Sequence, residues 1–250
     1  PKIIGFNSVK NLESKTLHMM IMHSFGQVSN GANEFFGLDN YANIRLSLDY
    51  GITDKLSVGI GRSRLNKVFD FRYQYNILAQ RQDDSIPVSL AIAGNMGYTT
   101  EDYNMGFDAV DRMSYFQQVM VARKFSPRFS FQISPVYAHF NTVFSPRVND
   151  HFGVSLGGRM KLTNRTAFTF EYTPIFSEKS PGQKDPISFG FDIETGGHVF
   201  QLFFTTAQGL NEQYIVGRNT DDFWAGDIRF GFNVNRIFLL GEKTKGLDWQ

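Results

Sequence analysis

One stretch holds residue types that could do covalent chemistry: HSFGQVSNG, residues 23–31. Ser29 supplies a hydroxyl and His23 an imidazole. A hydroxyl attacks an acyl group only when a neighbouring base takes its proton. The spacing works against that pairing. The two residues are six positions apart, and with His23 at a strand–loop boundary they cannot share one strand face. A Ser-Asn-Gly turn in a surface loop accounts for Ser29, Asn30 and Gly31 without chemistry. His18, His139, His151 and His198 are scattered, with no metal spacing such as H-x-x-x-H. The acidic pairs Glu101–Asp102 and Asp221–Asp222 offer oxygen ligands of the kind Ca²⁺ takes, but solvated loop carboxylates are the commoner outcome. GIGRSR (59–64) lacks the strand–loop–helix context of a phosphate loop. The sequence therefore gives no catalytic residue, no metal site and no cofactor.

A second set of residues says more. Arg45, Asp49, Asp70, Arg72, Arg159, Lys161, Glu171, Asp192, Glu194, Asp227 and Arg229 lie in runs that alternate polar with apolar residues. They are five cations and six carboxylates sharing one face. A ring of one sign would select ions in a pore. A balanced set pairs across the interior, which narrows or closes it. The balance here predicts a lumen charge network of the second kind.

The elements that must position this set are strands. In YANIRLSLDYG, residues 41–51, Ala42, Ile44, Leu46, Leu48 and Tyr50 alternate with Asn43, Arg45, Ser47 and Asp49. Successive side chains of a strand point to opposite faces, so one face is apolar and the other polar. The same alternation recurs in Phe69–Ile77, Ile86–Ile92, Phe129–Tyr137, Phe168–Tyr172, Ile187–Ile193 and Ile228–Val234. It amounts to about twelve strands of roughly ten residues. No segment longer than a turn has helical period, and neither a linker nor a low-complexity tract marks a second domain. The connections alternate in length. GITDK (51–55), AQRQDD (79–84), SPR (126–128), TNR (163–165) and TGG (195–197) are short and rich in turn residues. Those near 25–40, 98–111, 141–150, 177–185 and 207–223 are long, and only 64–67 departs from the rule.

Composition narrows the class. A net charge of +1 gives no footprint for nucleic acid. The absence of cysteine removes disulfides and thiolate metal sites. No run of about 18 apolar residues is present, which excludes a spanning helix but not spanning strands. If the protein is exported, its signal has been removed or left out.

The apolar face is Phe, Tyr, Leu, Ile and Val, whereas the polar face is Gly, Ser, Thr, Asn, Gln and Arg. A soluble barrel would turn the apolar face inward. Yet a closed sheet of about twelve strands encloses more space than side chains fill, and close-packed interiors tolerate few voids. A polar interior holds water and ion pairs, so the apolar face belongs outside against lipid, with every backbone group satisfied by closure. Tyr50, Phe125, Phe129, Tyr172 and Phe176 near strand ends suit aromatic girdles. The expected fold is all-β: one closed antiparallel transmembrane barrel in meander topology over residues 1–250. Residues 1–15 are expected as an N-terminal periplasmic segment and 239–250 as a C-terminal periplasmic tail, since an even strand count puts both termini on the short-turn side.

FFGLDNYANIRLSLDYGITDKLSVGIGRS resembles the N-terminal signature of a group of outer-membrane barrels of unknown function from Bacteroidota. The resemblance spans residues 23–63, from His23-x-Phe-Gly through the Tyr-Gly-Ile-Thr-Asp turn to Gly59–Ser63. It implies fold and location and brings no catalytic residues. Outer-membrane phospholipases, also twelve-stranded, carry His-x-Ser-Asn-Gly. Here Ser29, Asn30 and Gly31 match, while Gln27 stands in the histidine's place. The leading expectation is an outer-membrane barrel without enzymatic activity. It would be a narrow or plugged channel, or a structural subunit of a larger envelope complex, with outer-membrane lipid as partner and protein partners in such a complex. A phospholipase-like hydrolase and a soluble ligand-binding barrel are the alternatives.

Overall fold

The computed structural model of the protein describes residues 1–241. The expected C-terminal tail therefore lies, beyond residue 241, outside the described residues. Twelve strands form one closed barrel. They are β1 (Thr16–Gln27), β2 (Asn43–Gly51), β3 (Leu56–Ser63), β4 (Val68–Leu78), β5 (Ser89–Thr99), β6 (Met113–Lys124), β7 (Phe129–Phe140), β8 (Asp150–Lys161), β9 (Thr166–Tyr172), β10 (Ile187–Thr195), β11 (His198–Thr205) and β12 (Arg229–Leu239). Each pairs antiparallel with its neighbours in sequence. β12 returns to β1, with Leu17 opposite Phe238 and Met22 opposite Asn233. The ring leaves no edge strand, as a sheet in hydrocarbon requires. A seven-residue helix, α1 (Glu212–Arg218), lies in the β11–β12 connection.

The apolar face points outward. Ile60 is 60% exposed and Phe71 47%, whereas Arg45 on the other face is 0% exposed. Tyr50, Phe125 and Phe129 are exposed near the short-turn rim, and Tyr172 and Phe176 near the long-loop rim, where aromatic girdles sit.

Two expectations about elements change. The fifth strand does not start at Ile86 but at Ser89, and runs on to Thr99. Pro87 lacks an N–H for the ladder and restricts the residue before it, so Ile86 instead closes the turn by accepting from Arg81 N at 2.9 Å. The larger correction concerns residues 1–12. Within the expected periplasmic segment 1–15 they enter the barrel, and Ile4, Phe6 and Leu12 are buried. A segment without a ladder must place its backbone groups elsewhere. Luminal amides on the strands provide the partners. Gln132 Nε2 donates to Asn7 O at 2.9 Å, Gln74 Nε2 to Ser8 O at 3.0 Å and Asn76 Nδ2 to Val9 O at 3.0 Å.

A second segment enters from the long-loop side. Thr206, Ala207 and Leu210 are buried there, as is α1 from Glu212 to Gly217. The hydrophobic core thus lies inside the barrel. Phe116 of β6 and Val136 and Ala138 of β7 point inward and pack with Phe6, Ala207, Ile215 and Val216.

Candidate functional site: the lumen

The two inserted segments meet in the middle of the lumen. Lys2 Nζ donates to the Glu212 carboxylate, and both side chains are buried. Glu171 of β9 accepts the backbone N–H groups of Ile4, Gly5 and Phe6 at 3.0, 2.8 and 3.1 Å. Three donors converging on one carboxylate fix the N-terminal segment to the wall, and charge-assisted bonds of this kind are the strong ones. On the other side Asn95 Nδ2 donates to Glu212 Oε2 at 2.7 Å and Gln213 Nε2 to Asn95 Oδ1 at 3.0 Å. Asn211 Nδ2 donates to Asp70 Oδ2 at 2.9 Å.

Behind this junction stands a compact ion-pair group on β2 and β4. Arg45 Nη2 lies 2.5 Å from Asp70 Oδ1, Arg72 Nη2 lies 2.7 Å from Asp49 Oδ1, and Arg72 Nε lies 3.3 Å from Asp70. His18 Nδ1 adds a contact to Asp49 at 3.5 Å. The intervening strand makes room for it. The inward residues of β3 are Ser57, Gly59, Gly61 and Ser63. A Cβ at Gly59 would fall 1.8 Å from Asp49 Oδ1, and one at Gly61 2.4 Å from Arg45 Nη2. The alternation of LSVGIGRS therefore encodes both an outer apolar stripe and an inner gap that Asp49 and Arg45 occupy. Glu212 faces the same group. Burial works against its charge, but Lys2, Arg45 and Arg72 together hold its carboxyl at about 2, below the ordinary 4.5.

The eleven residues expected to form one network divide into separate groups. Arg45, Asp49, Asp70 and Arg72 form the cluster above. Glu171 anchors the N-terminal segment. Arg159 Nε meets Asp192 Oδ2 at 3.1 Å, with Arg159 half exposed. Arg229 Nε meets Asp221 Oδ2 at 2.5 Å. Lys161 and Glu194 face the short-turn end, with no carboxylate or cation within 4.0 Å among the described residues. Asp227 is a correction: it precedes β12 and accepts from Asp222 N at 3.1 Å, within the loop and not on the wall.

Sequence reasoning missed the residues that seal the lumen. Lys2 and Glu212 lie in segments without strand period, so periodicity carried no information about them. A signal was present on the wall: Phe116, Met120, Val136 and Ala138 are apolar at inward positions, and an apolar luminal stripe needs something to cover it.

His23 points outward on β1, its ring stacked on Phe232 at 4.4 Å between centroids. Ser29 lies in the short turn Val28–Asn30. Among the described residues His23 and Ser29 make no hydrogen bond to each other. His151 of β8 is buried against Gln183 Nε2 at 3.3 Å.

Not all of the lumen is filled. Toward the short turns a vestibule of about 930 Å³ remains. It is bounded by the ends of β7, β8, β9 and β12, by the turns at 126–128, 163–165 and 196–197, and by the N-terminal segment as its roof.

A family model described as "Membrane bound beta barrel domain (DUF5777)" matches residues 1–238. No curated protein matches the chain. Among solved structures, an outer membrane channel from Pseudomonas putida F1 superposes with a TM-score of 0.59 at 10% identity, covering 93% of this chain and 98% of that one. The NanC porin superposes with a TM-score of 0.55 at 9% identity, covering 89% and 98%. At such identity the likeness is one of fold.

Proposed function

The chain belongs to this family of membrane-bound β-barrel domains, and on that premise we propose that it is an outer-membrane channel held closed by two of its own segments. The observation that carries this reading is the junction of Lys2 and Glu212 in mid-lumen, one arriving from each end of the barrel. Neither segment contributes a strand to the wall, so the ladder closes without them. In this orientation the short turns and both ends of the sheet face the periplasm, following the usual asymmetry of such barrels. The wall does no covalent chemistry in this reading: His23 is engaged with Phe232 on the lipid face, away from any luminal substrate. The two superposing structures, a porin and an outer membrane channel, agree with it without carrying it.

The test is electrical. Intact protein in a planar bilayer is expected to be almost silent. Lys2→Glu sets two carboxylates against each other at the junction and is expected to raise the open fraction at least tenfold. Deletion of residues 1–12 is expected to give a steady conductance. Large, steady conductance of the intact protein would sink the closed-channel reading.

A further inference from the structure

We propose that the vestibule on the short-turn side is a binding site for small organic anions carrying carboxylate or phosphate groups. The inference rests on the reading of the protein as a membrane channel, and names what its open half would hold.

The charges around the cavity are unevenly paired. Lys2 is committed to Glu212, and Arg159 to Asp192. Both pairs are neutral as units. Among the described residues the other cations lining the space, Lys10, Lys124, Arg128, Lys161 and Arg165, have no carboxylate within 4.0 Å. Against these five stand Glu13 and Glu194, likewise without an ion-pair partner there. His18 and His198 also line the cavity; His18 already contacts Asp49 and Asn235. The unpaired charge is therefore positive by three.

The arrangement has shape as well as sign. Lys124 closes β6, Lys161 closes β8, Arg128 and Arg165 lie in the adjoining turns, and Lys10 comes from the N-terminal roof. Five cations from three parts of the chain, two successive hairpins and the N-terminal segment, thus face one mouth, while the roof separates it from the other half. A cleft of one sign in low-dielectric walls focuses its field and concentrates counter-ions. One polar group of the lining is also unspent, since Thr169 Oγ1 is buried without a partner, whereas Gln132 and Gln201 at the inner end are already bonded to Asn7 and Asp192. A cavity of about 930 Å³ falls in the range of small-molecule sites, which run to about 1,000 Å³. Its size excludes a folded partner, and its sign excludes cations.

Binding is measured on the full-length protein in detergent by titration calorimetry at low ionic strength, with citrate as the anion and spermidine as the cation. Saturable citrate binding that weakens with added salt, with no spermidine binding, is expected. The combined variant Lys124→Gln/Lys161→Gln/Arg165→Gln is expected to weaken citrate about tenfold, taking roughly a factor of two for each exposed ionic contact. A matched variant on the other rim, Lys67→Gln/Lys179→Gln/Lys184→Gln, is expected to bind as the parent does. All six side chains lie at the rims, so both variants should migrate as folded barrels. The proposal is overturned if citrate does not saturate, if spermidine binds equally, or if the long-loop variant loses as much as the short-turn one. Conductance is not used, so a failure here leaves the closed-channel reading standing. A conducting intact protein that binds citrate would sink that reading and leave this site.

Discussion

The two halves of the lumen use charge in opposite ways. Where the inserted segments meet, each charge is opposed. Arg45 has Asp70, Arg72 has Asp49, Lys2 has Glu212, and Glu171 has three backbone donors. In the vestibule, cations stand apart and few carboxylates answer them. The difference follows from water. A charge removed from solvent costs several kcal/mol and persists only if paired and hydrogen-bonded, so the sealed half must be balanced. A charge at a wet rim pays almost nothing for being alone, so the open half is free to carry a net sign. One barrel wall, made by one repeating alternation, thus supports a structural interior and a recognition surface.

The sharpest way to break the comparison is to remove one partner from the sealed half. Arg45→Ala leaves Asp70 with Arg72 Nε at 3.3 Å and Asn211 at 2.9 Å, and should cost about 3 kcal/mol, the lower end of the range for a broken buried pair. Urea unfolding in micelles reads it. Arg45→Met with Asp70→Leu together should cost less than Arg45→Ala alone, because no charge is then stranded. An Arg45→Ala loss no larger than that of a rim arginine would mean that this half is not sealed from water.

The junction itself predicts a pH dependence. Glu212 has a carboxyl held at about 2 in the fold against 4.5 ordinarily. A depressed carboxyl stabilises fully above its unfolded value, and the contribution is lost as pH falls through the folded one. The seal should therefore stay intact at pH 5 and fail only as pH drops from about 4 toward 2, with up to about 3 kcal/mol at stake. Single-channel recording across that range checks it. In Glu212→Gln the acid-induced opening should vanish and the closed state should already be weakened at neutral pH. Opening near pH 6 would point to a histidine instead.

Between these lies a test of fit. Gly59→Val and Gly61→Val place a side chain where Asp49 and Arg45 already are. Each should lose about 1–3 kcal/mol through overpacking, read by heat-dependent mobility of the barrel. The same change at Gly197, which has open space where its Cβ would be, should lose less.

What was legible in the sequence and what was not divides along the same line. Strands were legible because a wall residue has two environments, lipid and lumen, and alternates between them. YANIRLSLDYG gave β2 nearly to the residue, and the inward placing of Arg45, Asp49, Asp70 and Arg72 came with it. The pairing of Arg45 with Asp70 and of Arg72 with Asp49 reaches across β3 from β2 to β4, and depends on the small inward residues Gly59 and Gly61 between them. Segments 1–12 and 206–222 were illegible for the same physical reason. They lie within the lumen and are not strands with one face to lipid and the other to the interior, so no period marks them. Ile215 and Val216, adjacent and both buried, read as a short apolar patch in a loop. Only the wall hinted at them, through Phe116, Val136 and Ala138, whose apolar side chains face a lumen that alternation alone would leave polar.

The smallest expected effect closes the comparison from the other side. Arg159 and Asp192 form a pair 3.1 Å apart with the arginine half exposed. Exposed pairs contribute roughly 0–1 kcal/mol, so Arg159→Ala should leave the unfolding midpoint within error of the parent. It should also strip Asp192 of its cation and add a negative charge to the vestibule. Citrate binding should therefore fall by a factor of about two while stability stays put. Arg45→Ala should do the reverse, with a large loss of stability and, in whatever protein remains folded, unchanged citrate affinity. If Arg159→Ala instead destabilises the barrel as Arg45→Ala does, the vestibule is part of the structural core, and its charges are there to hold the fold and not to meet a ligand.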